Sequence, residues 1–169
     1  MRLRCFLLAV GVLGGAGCSQ ETPPPPLPTL ASNAPQDQPF ESKGREAVEE
    51  YRAAIAPYVE QARKTYPGAK QRFLDGLPPG QVFFAVCRLQ DRTGATEQVF
   101  VAVADIRDGR IKGRIASDIR GVSGYKQGDV HTFPETELID WLISHPDGTE
   151  EGNVVGKFLD EWQKTRRGH

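Results

Sequence analysis

The order of the first forty residues limits how much of this chain can fold. Arg2 and Arg4 precede an apolar run from Cys5 to Leu13; small residues follow, then Cys18. From Ser19 to Pro39 the chain reads SQETPPPPLPTLASNAPQDQP, a stretch that holds seven of the thirteen prolines and almost nothing aromatic or β-branched. Such a segment buries too little apolar surface to offset its ordering entropy. Pro23 to Pro28 favours extended polyproline II, a semi-rigid spacer of about 3.1 Å per residue. Residues 18–42 therefore read as a disordered tether, able to hold a domain on the order of 60 Å from its anchor when extended. PPPPLP also has the form of an SH3-type ligand, but a spacer suits an exported chain better. Folding is left to a single globular domain over 43–165, followed by a basic tail at 166–169. A domain of about 120 residues can bury a hydrophobic core without disulfides or a structural metal.

Residues 1–17 have the charge–apolar–small order of a secretory signal. Their apolar run falls short of the roughly 20 residues that a membrane-spanning helix needs. GAGC at 15–18 resembles a bacterial lipobox, with Gly15 where the pattern usually has leucine. The resemblance implies lipid attachment at Cys18 and anchoring by acyl chains such as palmitate, each buried methylene contributing about 0.8 kcal/mol. Ser19 rather than aspartate follows the cysteine, which by resemblance to lipoprotein sorting favours the outer membrane, facing the periplasm. The alternative is ordinary cleavage and a soluble periplasmic protein. Loss of the signal removes two of 21 basic residues, leaving 19 against 22 acids, a formal charge of −3. A slightly acidic domain makes a poor electrostatic footprint for nucleic acid, so none is expected. Cys5 leaves with the signal and Cys18 is lipidated, so Cys87 stands alone and forms no intradomain disulfide. Within QVFFAVCRL it reads as a buried small hydrophobe; a reactive thiol would need an exposed, electropositive setting.

Val48, Tyr51, Ile55, Tyr58, Val59, Ala62 and Tyr66 recur at helical spacing, with Ser42 as a candidate N-cap. Pro57 predicts a kink or break after Ala56, and Pro67 predicts a short second helix through Leu74, closed by Gly76. Strands are expected at Gln81–Leu89, Gln98–Ile106 and Arg110–Ile119, a meander turning at DRTGAT and Asp108–Gly109. Gly113 suggests a bulge or a close approach. Shorter strands follow at Val130–Phe133 and Ile139–Ser144, then the turn HPDGTEEGN and a short helix through Phe158, Leu159 and Trp162. The expected fold class is α+β: a kinked N-terminal helix packed on a curved antiparallel sheet of about five strands, with a short C-terminal helix.

The C-terminal third carries Gly128–Asp129, Pro134, Ile139–Asp140–Trp141, Asp147–Gly148 and Gly152–Asn153 in series. Together with QARKTYPGAKQRFLDGL upstream, this series resembles the YegJ-like family, a bacterial domain of unknown function, over roughly residues 45–160. The tail departs, because NVVGKFLDEW replaces the aromatic–threonine ending of many members. The resemblance implies an α+β fold with a curved antiparallel sheet, and no established reaction. Each element also has its own physical reading. Gly128 and Gly148 suit turns that need positive φ, and the aspartate beside each can bond nearby backbone. Trp141 is a core anchor whose indole N–H needs an acceptor; Asp140 is either a buried partner there or faces water.

Motifs that carry chemistry are missing. There is no HExxH, no GxSxG, no GxxxxGK[ST] and no GxGxxG. His131 with Asp129, and His145 with Asp147, form i, i+2 pairs that read as solvated loop histidines rather than metal ligands, and His169 belongs to the tail. No catalytic, cofactor-binding or metal-binding residue is expected, and no cofactor. The expected function is a non-enzymatic, envelope-anchored interaction module. It would meet the membrane through its acyl chains, and an envelope protein or cell-wall component through a loop face near Tyr125, Lys126, Asp129, Asp147 and Asn153. The alternatives are an envelope hydrolase using Asp129, Asp140 or Asp147, and an immunity-type protein that neutralises a toxin.

Overall fold

Alternation along β1 (Val82–Gln90) sends Phe83, Ala85, Cys87 and Leu89 to one side and Phe84 and Val86 to the other, and both sets are buried. A strand buried on both faces must lie inside a sheet that is covered on both sides. The computed structural model, which describes residues 45–167, supplies that setting. Long helix α1 (Arg45–Asp75) is followed by β1, β2 (Thr96–Arg107), β3 (Arg110–Ile115), β4 (Val130–Pro134), a 3-10 turn at Glu135–Glu137, β5 (Asp140–Ser144), β6 (Glu150–Gly152) and α2 (Val154–Arg167). The sheet order is β4-β3-β2-β1-β5-β6, with every neighbouring pair antiparallel. The chain is thus α+β, and its first strands meander as their spacing predicts.

Helix α1 serves both faces. Tyr51 and Ile55 join Phe84, Val86, Phe100 and Leu142 together with Val155 and Leu159 of α2. Ala62, Tyr66 and Ala69 instead join Phe83, Ala85, Cys87, Trp141 and Ile143. The helix can pass from one face to the other because β5 is short: its last partner on β1 is Val86, paired with Asp140.

Three expectations are corrected. The helix is neither broken nor followed by a second one; Pro57 and Pro67 both lie inside α1. Each proline forfeits one helical hydrogen bond, but both sit on the exposed side, where the carbonyls left over can bond water. The buried residues Ile55, Ala62, Tyr66 and Ala69 hold the helix on either side of them. The third strand ends at Ile115 rather than Ile119, because side chains take over from the ladder: Ser117 Oγ accepts the Phe100 N–H, and the Glu97 carboxylate accepts those of Arg120 and Gly121. The strands number six rather than about five, since residues after the Asp147–Gly148 turn return alongside β5 as β6. The segments expected to be a signal and a tether, with Cys18, Ser42 and His169, lie outside the described residues. Among the described residues no helix is long and apolar enough to cross a membrane.

Gly113 shows both features expected of it. The β2–β3 register slips between Val103 and Asp105, opposite Gly113 and Lys112. A Cβ on Gly113 would lie 2.2 Å from the Ala102 carbonyl oxygen and 2.7 Å from Val101 Cγ1. Backbone cannot give way as a flexible side chain does, so Gly113→Ala is expected to destabilise the fold by about 2–3 kcal/mol. A denaturant midpoint unchanged from wild type would show that the strands have room to part.

Candidate binding groove

A concavity follows the end of β1 that no described strand covers on its β5 side. Asp91 N bonds Ala95 O on the β2 side, and Ile139 N bonds Val86 O on the β5 side. Alternation then turns the N–H and C=O of residues 88 and 90 the same way as those of Val86, beyond the point where β5 stops. Gln90 O accepts a bond from the Tyr125 hydroxyl at 3.2 Å. Along this edge runs a groove of about 870 Å³, walled by Arg52, Ile55, Val59 and Arg63 of α1 and by His131 to Pro134 of β4 with the 3-10 turn. That volume lies in the range typical of ligand sites. Arg88, Leu89 and Gln90 all border it although their side chains alternate in direction, because the groove follows the strand's edge rather than one face.

The two flanks differ in character. On one, Arg88 is half-buried beside Arg52; burial lowers its pKa first, the like charge of Arg52 lowers it further, and Tyr51 acts weakly the other way. On the other, Leu89 lies near Phe133, His131 stacks on Phe133 at 5.7 Å, and Tyr125 meets His131 edge-on at 6.1 Å. Burial holds the His131 pKa below its usual value, against the opposing pull of Glu137. Arg63 is committed to structure: its Nε donates to Leu138 O at 2.8 Å and its Nη2 to Thr136 O at 2.9 Å, tying α1 to the β4–β5 connection. Glu60 and Glu137 also border the groove, yet among the described residues no carboxylate forms an ion pair with Arg52 or Arg88.

A half-buried cation without a counter-charge pays desolvation with little return. Arg88→Met is therefore expected to raise stability, by about 0.5–1 kcal/mol, a pattern typical of residues retained for function. The check is the chemical-denaturation midpoint of the two proteins; a lower midpoint for the variant would show that Arg88 is a structural residue.

The residues singled out in the sequence are dispersed. Tyr125 borders the groove, and Lys126 and Asp129 lie in the adjoining β3–β4 loop, where Asp129 Oδ2 accepts the Lys126 N–H at 3.0 Å. Asp147 lies in the β5–β6 turn and binds the N–H and hydroxyl of Thr149 at 2.9 and 2.7 Å. Asn153 is only 1% exposed, so it belongs to no surface; its side chain donates to Glu150 and its carbonyl accepts from Lys157 at the start of α2. No single loop face holds all five. Asp129, Asp140 and Asp147 do not converge either, and none of them borders the groove.

Asp140 is 1% exposed, with Oδ1 on the Trp141 N–H at 2.8 Å and Oδ2 on that of Val155 at 2.7 Å. The amides of Gly156 and Val154 lie close enough to favour its charged form as well, but burial outweighs all four and pushes its pKa up to about 6. From β5 it caps the N-terminus of α2. His131 lies in a strand rather than a loop; His145 lies in the β5–β6 turn as expected, but it is partly buried there with Nε2 3.1 Å from Glu151, whose carboxylate also holds Arg72. Among the described residues no three potential metal ligands cluster. Cys87 is fully buried, and burial raises its thiol to about 12, in keeping with an inert core residue. Reading the sequence overlooked Arg52 and Arg88. The available signal was an arginine inside the otherwise apolar run VFFAVCRLQ.

The chain matches no family model, no curated protein and no solved structure.

Proposed function

We propose that this chain is a non-enzymatic interaction module of the bacterial cell envelope, of the YegJ-like kind its sequence resembles, and that the groove along β1 is where it holds its partner. The observation that carries this reading is Arg88, half-buried beside Arg52, with no acid paired to it among the described residues, on a stretch of β1 edge that no described strand covers. A cation kept partly out of water without an acid is a standing cost that an anionic ligand would offset. The flank of Leu89, His131 and Phe133 adds apolar surface for the same ligand. The predicted signal, lipidated Cys18 and proline-rich tether fit a domain presented at a distance from a membrane.

The test is a photo-crosslinking residue placed in the envelope-borne full chain at exposed Thr132 within the groove, and separately at exposed Asp108 in the β2–β3 turn. One adduct formed from Thr132, missing from Asp108 and lost on Arg52→Glu, is expected. Equal labelling from both positions, or none from either, sinks the groove as the binding surface. Cys18→Ser is expected to move the protein from the membrane to the soluble fraction; an unchanged distribution removes the lipid anchor.

A further inference from the structure

We infer that the groove takes an extended segment of a partner protein that adds to the free edge of β1 and alternates acidic with apolar side chains. This rests on the binding-module reading above. By the alternation of β1, the backbone N–H and C=O of Arg88 turn to the side where β5 has stopped, and among the described residues no backbone partner meets them there, so they offer the main-chain bonds that an added strand uses. The Tyr125 hydroxyl on Gln90 O marks where the free edge stops.

Alternation in such a strand then dictates its side chains. Residues turned toward α1 meet Arg52 and Arg88, whose guanidinium groups suit a carboxylate. Residues turned the other way meet Leu89, His131 and Phe133, which suit an apolar side chain. The space is many times larger than an isolated carboxylate, so a small anion would leave most of it empty. Glu60 and Glu137 at the walls disfavour a continuous run of negative charge, as in a nucleic acid or a wholly acidic segment. An alternating strand puts its acids on one flank only and satisfies both sides.

The experiment follows the amide resonances of Arg88 and Gln90 in the isotope-labelled full chain during titration with blocked six-residue peptides. Asp-Val repeats are expected to shift these amides saturably. Lys-Val repeats, and a peptide with three Asp followed by three Val, should bind about tenfold more weakly or not at all. N-methylation of alternate amides on the pairing edge of the Asp-Val peptide should abolish the shifts. Arg88→Gln should weaken binding about tenfold, with Arg88→Lys between it and wild type; the fold of each variant is checked by its melting temperature. Equal binding of the lysine or block peptide, indifference to N-methylation, or indifference to Arg88→Gln overturns the inference. Displacement of the peptide by inorganic phosphate at millimolar concentration also overturns it, in favour of a generic anion site. If Thr132 crosslinks a partner while no peptide binds, strand addition is wrong and the module reading stands. Specific peptide binding without any envelope crosslink supports the groove chemistry and removes the proposed setting.

Discussion

Raising the pH from 4 to 7 is expected to cost this protein about 2 kcal/mol of folding stability that an Asp140→Asn variant does not lose. The Asp140 carboxyl titrates near 3.8 when exposed and near 6 in the fold, where burial outweighs four backbone N–H partners. Below pH 3.8 it is protonated in both states and contributes fully. Between the two values the folded state binds a proton that the unfolded state has released, so stability falls as pH rises. Above about pH 6 the whole loss is incurred. Glu151 and Asp147 work in the opposite sense: Arg72 holds Glu151 down and Thr149 holds Asp147 down, so their contributions fade as pH drops. For that reason the informative quantity is the difference between wild type and Asp140→Asn, measured by denaturant unfolding at pH 4, 5, 6 and 7. The asparagine keeps an oxygen for the Val155 N–H but buries an unmatched amide donor, which adds an offset independent of pH. A difference that stays flat across the series would mean that Asp140 is not a buried, strained charge.

Trp141→Ala is expected to be the most damaging single substitution in the core, at about 4 kcal/mol. Trp141 lies across from Ala85 on β1, and its ring runs parallel to that of Phe83 with centroids 6.3 Å apart. Its indole N–H donates to Ala62 O and Thr65 Oγ1, both at 3.1 Å, fastening α1 to the sheet. Against the ring's other side sits Gly152, where a Cβ would come within 2.9 Å of Cε3. Truncation therefore removes a large contact area, leaves a cavity and releases the α1 tie together. Trp141→Phe keeps a ring but loses the hydrogen bonds, and should cost about 1–2 kcal/mol. Unfolding midpoints in the order wild type, Trp141→Phe, Trp141→Ala would support this account. A loss below 1 kcal/mol for the alanine variant would show that the helix is held elsewhere.

What could be read in the linear chain depended on neighbours close in sequence. Period-two apolar runs located β1 and β2, and turn residues located the hairpin between them. Gly128 and Gly148 adopt the positive φ expected of them, 92° and 86°. Cys87 and Trp141 were legible as core because the apolar runs around them left little alternative. The choice left open for Asp140, a buried partner or a solvent-facing acid, is resolved by the fold as burial.

Other features exist only once distant segments meet. Local propensity argued for a break at Pro57, yet packing of α1 against both faces of the sheet keeps one helix through two prolines. Asp140 caps a helix that begins fourteen positions later, and the same approach buries Asn153, which sequence placed on a surface. The groove needs α1, the end of β1 and β4 together, and those elements come from three separate parts of the chain. Residue type and spacing determine which segments become strands and helices, because those preferences act over a few residues. Whether Arg88 finds an acid, whether a carboxyl is dehydrated and whether a strand edge is covered depend on which segments cross, and only the tertiary structure decides that.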